Sequence, residues 1–242
     1  MKQSYQKYTE ADQQVWQLLF ERQMKQLPTI ASSAYLEGIE KVGFVADHIP
    51  NFEIETNPRL RTLTGWEVEV VTGLIPQKDF FELLANRKFP ASTWLRKTNQ
   101  LDYLEEPDMF HDTFGHVPLL TNQDFCDFMG NLSRIALQWL DVPEAIAQIG
   151  RLYWYTVEFG LIQEKGQLKI YGGGIISSAG ESVHCLSDAI PKVSFDVQRL
   201  LNTPYHIDQF QDHYFVIDSY EQLYRSTPDI EQNMKETFLM AV

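Results

Sequence analysis

Two histidines lie five residues apart in the segment HDTFGH, residues 111 to 116. On an ideal α-helix such residues point about 140° apart, so His111 and His116 could not both face one ion. Gly115 and Pro118 would allow the helix to end between them, so that His116 turns towards His111. The HExxH spacing of zinc proteases and its glutamate base are absent. The pair therefore predicts either a metal site or two satisfied core histidines.

A glutamate lies in a strongly apolar segment, LYWYTVEFGLI at residues 152 to 162. As a helix, this segment is apolar or aromatic around its whole circumference except at Thr156 and Glu158, which predicts a buried helix. A buried carboxylate is costly unless it pairs with a cation or binds a metal. Glu158 is therefore expected either in a structural ion pair or as a ligand of an ion that the histidines share.

Two histidines and one carboxylate form the facial triad of non-haem Fe(II) oxygenases, which leaves coordination positions open. A structural zinc site would more often recruit cysteine and close its shell.

Arg96 is either a surface residue or a bidentate partner for a ligand carboxylate. GIISSAGE, residues 174 to 181, lacks the GxSxG elbow of serine hydrolases. GGG at 172 to 174 lacks the Lys-Ser/Thr and the obvious helix start of a phosphate loop.

The elements that must position these residues are mostly helical. Thr9 and Asp12 resemble a capping box, and Pro76 suits a first helical position. The predicted helices cover 9–27, 77–86, a stretch from Pro107 that carries His111, 122–140 and 143–162, and the predicted strands cover 168–176, with a glycine-bent end, and 213–218. We therefore expect a mainly α (α+β) fold, with one helical catalytic domain over residues 1–242 and a small late β-sheet.

The composition narrows the class of protein. The net charge of −13 argues against nucleic acid or an anionic membrane surface as a partner. Only Cys126 and Cys185 are present, too few for a disulfide scaffold, so a cytoplasmic protein with free thiols is expected. The first residues contain no apolar signal core, and no run of about 18 apolar residues could span a membrane.

Several long blocks, in order, resemble the pterin-dependent aromatic amino acid hydroxylases, and the bacterial members look closest. The blocks are PDMFHDTFGHVPLL, YWYTVEFGL, YGGGIISSAGE, YTEADQQVWQLLFERQ, TGWEVEVVTGLIP and TPYHIDQFQDHYFVIDSYEQL. The resemblance implies a single, mainly helical catalytic domain. It also implies a monooxygenase that uses Fe(II), a tetrahydropterin (tetrahydrobiopterin or a bacterial analogue) and O2 to convert L-phenylalanine to L-tyrosine.

The resemblance also implies a role for each of 17 residues, numbered here in this sequence. The iron ligands would be His111, His116 and Glu158. The pterin site would contain Gly73, Leu74, Ile75, Phe80, Asp112 and Tyr153, with Phe80 stacked on the ring and Asp112 reaching the pterin through water. The amino acid site would contain Arg96, Leu104, Pro107, Trp154, Phe159, Ser177, Glu181 and Ile207. Arg96 would bind the substrate carboxylate, and Ser177 and Glu181 would support the amino acid site and Arg96.

Three departures from animal members bear on these expectations. Leu104 stands where they carry threonine, which puts one polar substrate contact in doubt. No regulatory domain precedes Tyr8 and no tetramerisation helix follows the last residues, so an unregulated monomer is expected. Trp154 and Ile207 favour phenylalanine as substrate. The alternatives are tryptophan or tyrosine as substrate, a non-catalytic hydroxylase-like binding protein, and a zinc hydrolase, for which no base stands beside the metal.

Overall fold

The computed structural model describes residues 1–101, 104 and 106–239, and helices dominate them. The α-helices among these residues are α1 (Glu10–Met24), α2 (Leu27–Ile30), α3 (Ser33–Val42), α4 (Asn57–Leu63), α5 (Gln77–Ala85), α6 (Gln123–Leu137), α7 (Pro143–Tyr153), α8 (Gly173–Ser177), α9 (Ala179–His184), α10 (Val197–Asn202), α11 (Tyr220–Arg225) and α12 (Thr227–Leu239). None of the helices described is long and apolar enough to cross a membrane.

Wider and tighter helical turns complete the helical part. The π-helical segments are Phe52–Thr56, Phe110–His116 and Trp154–Glu158, and the 3-10 turns are Tyr5–Lys7, Thr98–Gln100 and Val117–Thr121. We call Phe110–His116 the histidine π-helix and Trp154–Glu158 the glutamate π-helix. Each carries candidate metal ligands, in keeping with the frequent occurrence of π-turns at functional sites.

Two small sheets accompany the helices. The strands β1 (Glu67–Val70) and β2 (Lys88–Ala91) pair in parallel, with α5 as their crossover. The second sheet has the order β4-β3-β6-β5 and contains β3 (Leu161–Glu164), β4 (Gln167–Ile170), β5 (Lys192–Ser194) and β6 (Tyr214–Ile217). In it only β3 and β4 are antiparallel. The expected mainly helical fold with a small late sheet is confirmed, whereas the early β1–β2 pair was not predicted.

The start of α1 follows its sequence signal. The Thr9 hydroxyl accepts a hydrogen bond from the Asp12 N–H, and the Asp12 carboxylate accepts one from the Thr9 N–H at 2.8 Å. The predicted end at residue 27 is wrong, because α1 stops at Met24 and Pro28 lies in the short α2 that follows. Pro28 has no N–H to donate to the Met24 carbonyl and its ring would clash with that carbonyl, so α1 cannot continue through it. Pro76 caps α5 instead of occupying its first turn.

Two boundaries near the site were also predicted wrongly. The helix expected over 143–162 ends at Glu158, and residues 161–164 form β3. A Cβ at Gly160 would lie 2.2 Å from the ring of Tyr171, the residue after β4. The close approach of these two segments therefore requires a glycine at residue 160. The strand expected over 168–176 ends at Ile170, and α8 begins at Gly173 despite the lack of a helix-start signal. Short apolar runs fit a buried strand or a buried helix equally well.

The core reaches one side of the histidine π-helix. Phe110 and Phe114 are fully buried and stack at 4.6 Å between ring centroids, and Trp16 packs edge-on against Phe110 at 5.5 Å. The Tyr35 hydroxyl donates to the Phe114 carbonyl at 2.7 Å. With these aromatic rings fixed in the core, the histidines lie on the other side of the same turn.

Candidate metal centre and active site

The histidine π-helix brings both histidines to one side. The chain stays helical from Phe110 to His116, so the prediction that the helix ends between them is wrong. A π-turn closes its hydrogen bonds from i to i+5 and so returns residue 116 over residue 111. The two Nε2 atoms are 3.3 Å apart. The five-residue spacing that is unfavourable on an α-helix is therefore the favourable spacing on this one.

Gly115 serves close packing and not a bend. A Cβ at this position would lie 2.7 Å from the carbonyl oxygen of Gly173, a separation that real Cβ atoms essentially never show. The histidine π-helix and α8 therefore touch backbone to backbone beside His116. Only glycine at residue 115 permits this approach without a shift of either element.

The glutamate π-helix supplies the third group. The Glu158 Oε2 atom lies 3.3 Å from His116 Nε2 and 3.7 Å from His111 Nε2. Among the described residues these three form the one group of histidine, cysteine or acidic side chains that could hold a metal. Two ligand atoms about 2.1 Å from one ion lie about 3 Å apart when they subtend a right angle. The spacing and the nitrogen and oxygen donors thus fit a divalent cation.

The electrostatics favour the ligand forms of Glu158 and His111. Burial opposes charge on all three groups. The attraction of His116 and His111 nevertheless holds the pKa of Glu158 below its usual value. For His111, burial outweighs the pull of Glu158 and lowers the pKa. For His116, burial acts in the same sense, but the charge and hydrogen bond of Glu158 raise the pKa. Both directions favour a charged Glu158 and a neutral His111, the forms that metal binding requires.

Ser177 orients His111. Its hydroxyl donates to the Gly173 carbonyl at 2.9 Å and lies 2.9 Å from His111 Nδ1. Because the hydroxyl donates its one proton to the Gly173 carbonyl, it can only accept a hydrogen bond from His111 Nδ1–H. This leaves His111 Nε2 as the unprotonated nitrogen. Ser177 was predicted to support the amino acid site and Arg96. The structure shows its contact with a candidate metal ligand, and its support of the amino acid site stays a prediction.

Arg96 is buried, with 7% of its surface exposed, so the alternative of a surface arginine is wrong. Its Nε and Nη2 atoms donate to the two carboxylate oxygens of Asp108 at 2.9 and 2.8 Å, and Nη1 donates to the Leu101 carbonyl at 3.2 Å. Asp108 also accepts from the His111 N–H at 3.1 Å. The sequence reasoning missed Asp108, although an aspartate three residues before a helical histidine is a typical cap.

Three of the predicted pterin residues lie in definite contacts. Asp112 accepts from the Ser92 N–H at 2.7 Å, and its burial raises its pKa. Phe80 and Tyr153 meet edge to face at 5.3 Å. Gly73 has a φ of +143°, a conformation that favours glycine. The neighbouring Leu74 is 74% exposed, and Ile75 is half-buried, so the contact of this loop with a pterin stays a prediction.

The predicted substrate wall is partly assembled. Trp154 packs on Phe159 at 4.7 Å and on Tyr205 at 4.4 Å. Tyr205 was not predicted, and its loop carries no periodic signal. Ile207 is 77% exposed, so it is not a core residue, and its contact with substrate stays a prediction. Leu104 and Pro107 are half-buried, and Glu181 is buried, where it accepts from the Tyr214 hydroxyl and the Gln211 N–H.

The three consecutive glycines lie against two candidate ligands. A Cβ at Gly172 would lie 2.3 Å from the Glu158 carbonyl oxygen, and one at Gly173 would lie 2.3–2.5 Å from atoms of the His116 ring. Gly174 also lies against the Glu158 carbonyl. The run was set aside in the sequence because it is not a phosphate loop. Glycines after a strand mark a close backbone approach, and that signal pointed to this contact.

The fold and the site define a class: a mainly helical protein with a two-histidine, one-carboxylate centre next to a buried arginine–aspartate pair. Residues 2–241 match the family model of the biopterin-dependent aromatic amino acid hydroxylases. The chain belongs to that family, which confirms the resemblance noted in the sequence.

Named relatives and solved structures are similar over most of the chain. The phenylalanine-4-hydroxylase of Chromobacterium violaceum is 48% identical over 225 residues, 92% of this chain and 75% of that protein. That of Ralstonia nicotianae is 49% identical over 236 residues, 95% and 73%. A C. violaceum structure with iron(III) and 7,8-dihydrobiopterin has a TM-score of 0.92 at 45% identity and covers 98% of this chain and 86% of its own. One with iron and phenylalanine has 0.89 at 42% identity, 98% and 87%.

Proposed function

We infer that this chain is a phenylalanine 4-monooxygenase that uses iron, a tetrahydropterin and O2 to convert L-phenylalanine to L-tyrosine. The observation that carries the inference is the convergence of His111, His116 and Glu158 at one point below the surface. It occurs in a chain of the pterin-dependent family whose matched relatives are named phenylalanine-4-hydroxylase.

The three converging residues would hold Fe(II). Two neutral imidazoles and one carboxylate suit Fe(II) and leave coordination positions open. When bound, the iron and the tetrahydropterin together supply the activation of O2 that hydroxylation of an aromatic ring needs. Ser177 fixes His111 in the tautomer that presents Nε2, and the glycines at 172–174 let both ligand-bearing turns close on the site.

Arg96 would bind the substrate carboxylate. Its bonds to Asp108 and Leu101 use three of its five N–H donors, and no acceptor for the other two lies among the residues that the structure describes. Asp108 fixes the plane of the guanidinium, so a carboxylate meets an already oriented fork. The aromatic ring of the substrate would then lie against Trp154 and Phe159, with Leu104, Pro107 and Ile207 as further proposed neighbours.

The pterin would bind near Phe80 and Tyr153. The Phe80 ring offers a face for stacking, and Gly73, Leu74, Ile75 and Asp112 are proposed to complete the site.

Aromatic and apolar walls around the substrate exclude water from the reacting ring. The same walls offer no partner to a phenol hydroxyl, which favours phenylalanine over tyrosine.

We further propose that residues 1–242 form one catalytic domain, that the protein is a monomer, and that it works in the cytoplasm without nucleic acid or membrane partners. The family match over residues 2–241 supports the single domain. The two cysteines, Cys126 and Cys185, are free and buried, which suits a reducing compartment.

The decisive variant for the metal is Glu158→Gln, which keeps the volume of the side chain and removes its charge. We expect it to weaken iron binding or abolish tyrosine formation while the circular dichroism spectrum stays unchanged. Metal analysis and an assay of pterin-dependent tyrosine formation give both readouts. A merely structural ion pair with the histidines instead predicts a lower Tm with normal iron content and specific activity, and that result would overturn the assignment.

A further inference from the structure

His116 is enclosed on one ring face by Phe89. The two ring centroids are 5.0 Å apart with an angle of 31° between the planes, and both side chains are 3% exposed. Phe89 lies on β2, whose pairing with β1 places it opposite Val68. Lys88, the residue before it, forms ion pairs with Glu67 and Glu69 of β1 at 3.2 and 2.9 Å. A short, well-anchored strand therefore carries the ring that covers His116.

The backbone of Gly173 lies directly against the same imidazole. A Cβ at residue 173 would come within 2.3 Å of His116 Cε1 and 2.5 Å of both ring nitrogens. Contact with three ring atoms at once means that the Cβ would enter the space of the ring itself. Any residue other than glycine would have to displace His116 or move α8.

The two histidines are therefore positioned by different means. His111 has a hydrogen bond from its Nδ1 to Ser177 and is 22% exposed. Apart from its contact with Glu158 at Nε2, His116 packs against an aromatic ring and a glycine backbone. In a close-packed interior such contacts restrict the ring to one orientation, because a rotation of the imidazole would overlap its neighbours.

We propose that Phe89 and Gly173 are positioning residues that hold His116 in its ligand orientation by packing against its ring. The proposal rests on the proposed metal site and gives the β1–β2 pair its function in this fold. It predicts that loss of the Phe89 ring frees His116 to rotate and removes one imidazole from the metal. Loss of a supporting contact of a metal ligand typically weakens metal binding about 10–100-fold.

The test uses the full chain, stripped of metal and titrated with Co(II). The variants are Phe89→Leu and Gly173→Ala. The matched controls are Phe44→Leu, which removes another buried ring, and Gly130→Ala, where the new Cβ would have no neighbour closer than 3.7 Å. The readouts are the Co(II) dissociation constant, the number of imidazole ligands by X-ray absorption, and the Tm of the metal-free protein.

We expect Phe89→Leu to raise the Co(II) dissociation constant about 10–100-fold and to reduce the imidazole count from two to one. Phe44→Leu should lower the Tm of the metal-free protein without changing either metal readout. Gly173→Ala should bind Co(II) at least as weakly as Phe89→Leu, and Gly130→Ala should bind it normally. If Gly173→Ala does not fold, the Phe89→Leu pair decides.

Two results separate the proposal from the metal assignment. Normal Co(II) affinity and two imidazoles in Phe89→Leu would overturn the packing proposal, provided that His116→Ala loses binding. Normal Co(II) affinity in His116→Ala would instead show that the metal assignment itself is wrong. Equal losses in Phe89→Leu and Phe44→Leu would attribute the effect to general destabilisation and would also overturn the proposal.

Discussion

Arg96 is the residue at which substrate recognition can be measured separately from metal binding. A lysine keeps the charge but lacks the planar pair of donors. Because hydrogen bonds to charged groups contribute roughly 1.5–3 kcal/mol, we expect Arg96→Lys to raise the KM for phenylalanine at least about tenfold and to leave the iron content unchanged. Arg134→Lys, at an exposed position on α6, is the control. An unaltered KM in Arg96→Lys would remove Arg96 from the substrate site.

Trp154 is the residue at which the choice of substrate can be changed. Its ring packs on those of Phe159 and Tyr205, and we propose that this large, fixed ring narrows the space for a substrate ring. We expect kcat/KM to be highest for phenylalanine, well behind for tryptophan and near background for tyrosine. Trp154→Phe should narrow the gap for tryptophan because it leaves room for an indole. A wild-type preference for tryptophan would contradict the substrate assignment and leave the iron assignment intact.

At the scale of elements, the sequence predicted starts of helices better than their geometry. The capping box at Thr9 has a local cause and was found. The π-turns were missed because a π-helix differs from an α-helix by one residue per hydrogen-bonded ring, and packing around Gly115 and Gly173 selects between them. Four strands were missed. The strand β5 has only three residues, the alternation in β1 covers only four, and Pro90 in β2 argues against a strand. The apolar start of β3 continued the predicted helix.

The metal site was predictable because a buried titratable side chain needs a charged partner or a metal. A glutamate in an apolar segment and two histidines in another identified three residues that the structure brings together. Asp108 and Phe89 were not found, because their roles depend on which residues from distant segments lie beside them. The resemblance to a family added the residues whose side chains carry no local pattern, such as Ile207.

The contribution of the Arg96–Asp108 ion pair to the stability of the fold should depend on pH. Burial alone would raise the pKa of Asp108, but Arg96 and the N–H groups of Arg96 and His111 outweigh it and lower the pKa. A folded-state pKa below the unfolded value of about 3.9 means that the carboxylate stabilises the fold above that pH. This stabilisation is lost as the pH falls through the folded value.

The variant Asp108→Asn tests this ion pair. The variant leaves a buried guanidinium without its counter-charge, which typically costs about 3–5 kcal/mol, so the Tm at pH 7 should fall. The difference in Tm from wild type should narrow as the pH falls below about 4, because the wild-type carboxylate takes up a proton first in the unfolded state and then, at lower pH, in the folded state. Asp188→Asn, at an exposed position, is the control. A difference that does not change with pH would contradict the assigned ion pair.

At the scale of the whole molecule, we expect a monomer. The exposed large hydrophobic residues of the described part are spread over many elements, and single exposed apolar residues are normal on monomeric proteins. The net charge of −13 adds repulsion between copies. Light scattering at micromolar concentration should give a mass near 28.1 kDa. A stable dimer or tetramer would contradict this expectation without affecting the chemistry.

The most direct test of the central claim follows the oxygen atom. Purified protein loaded with Fe(II) is given L-phenylalanine, a tetrahydropterin and ¹⁸O₂, and the tyrosine formed is analysed by mass spectrometry. A monooxygenase should place one ¹⁸O atom in the phenol of tyrosine, and product formation should cease when iron, pterin or O₂ is left out. No tyrosine from the complete mixture, or tyrosine that carries oxygen from water, would contradict the account.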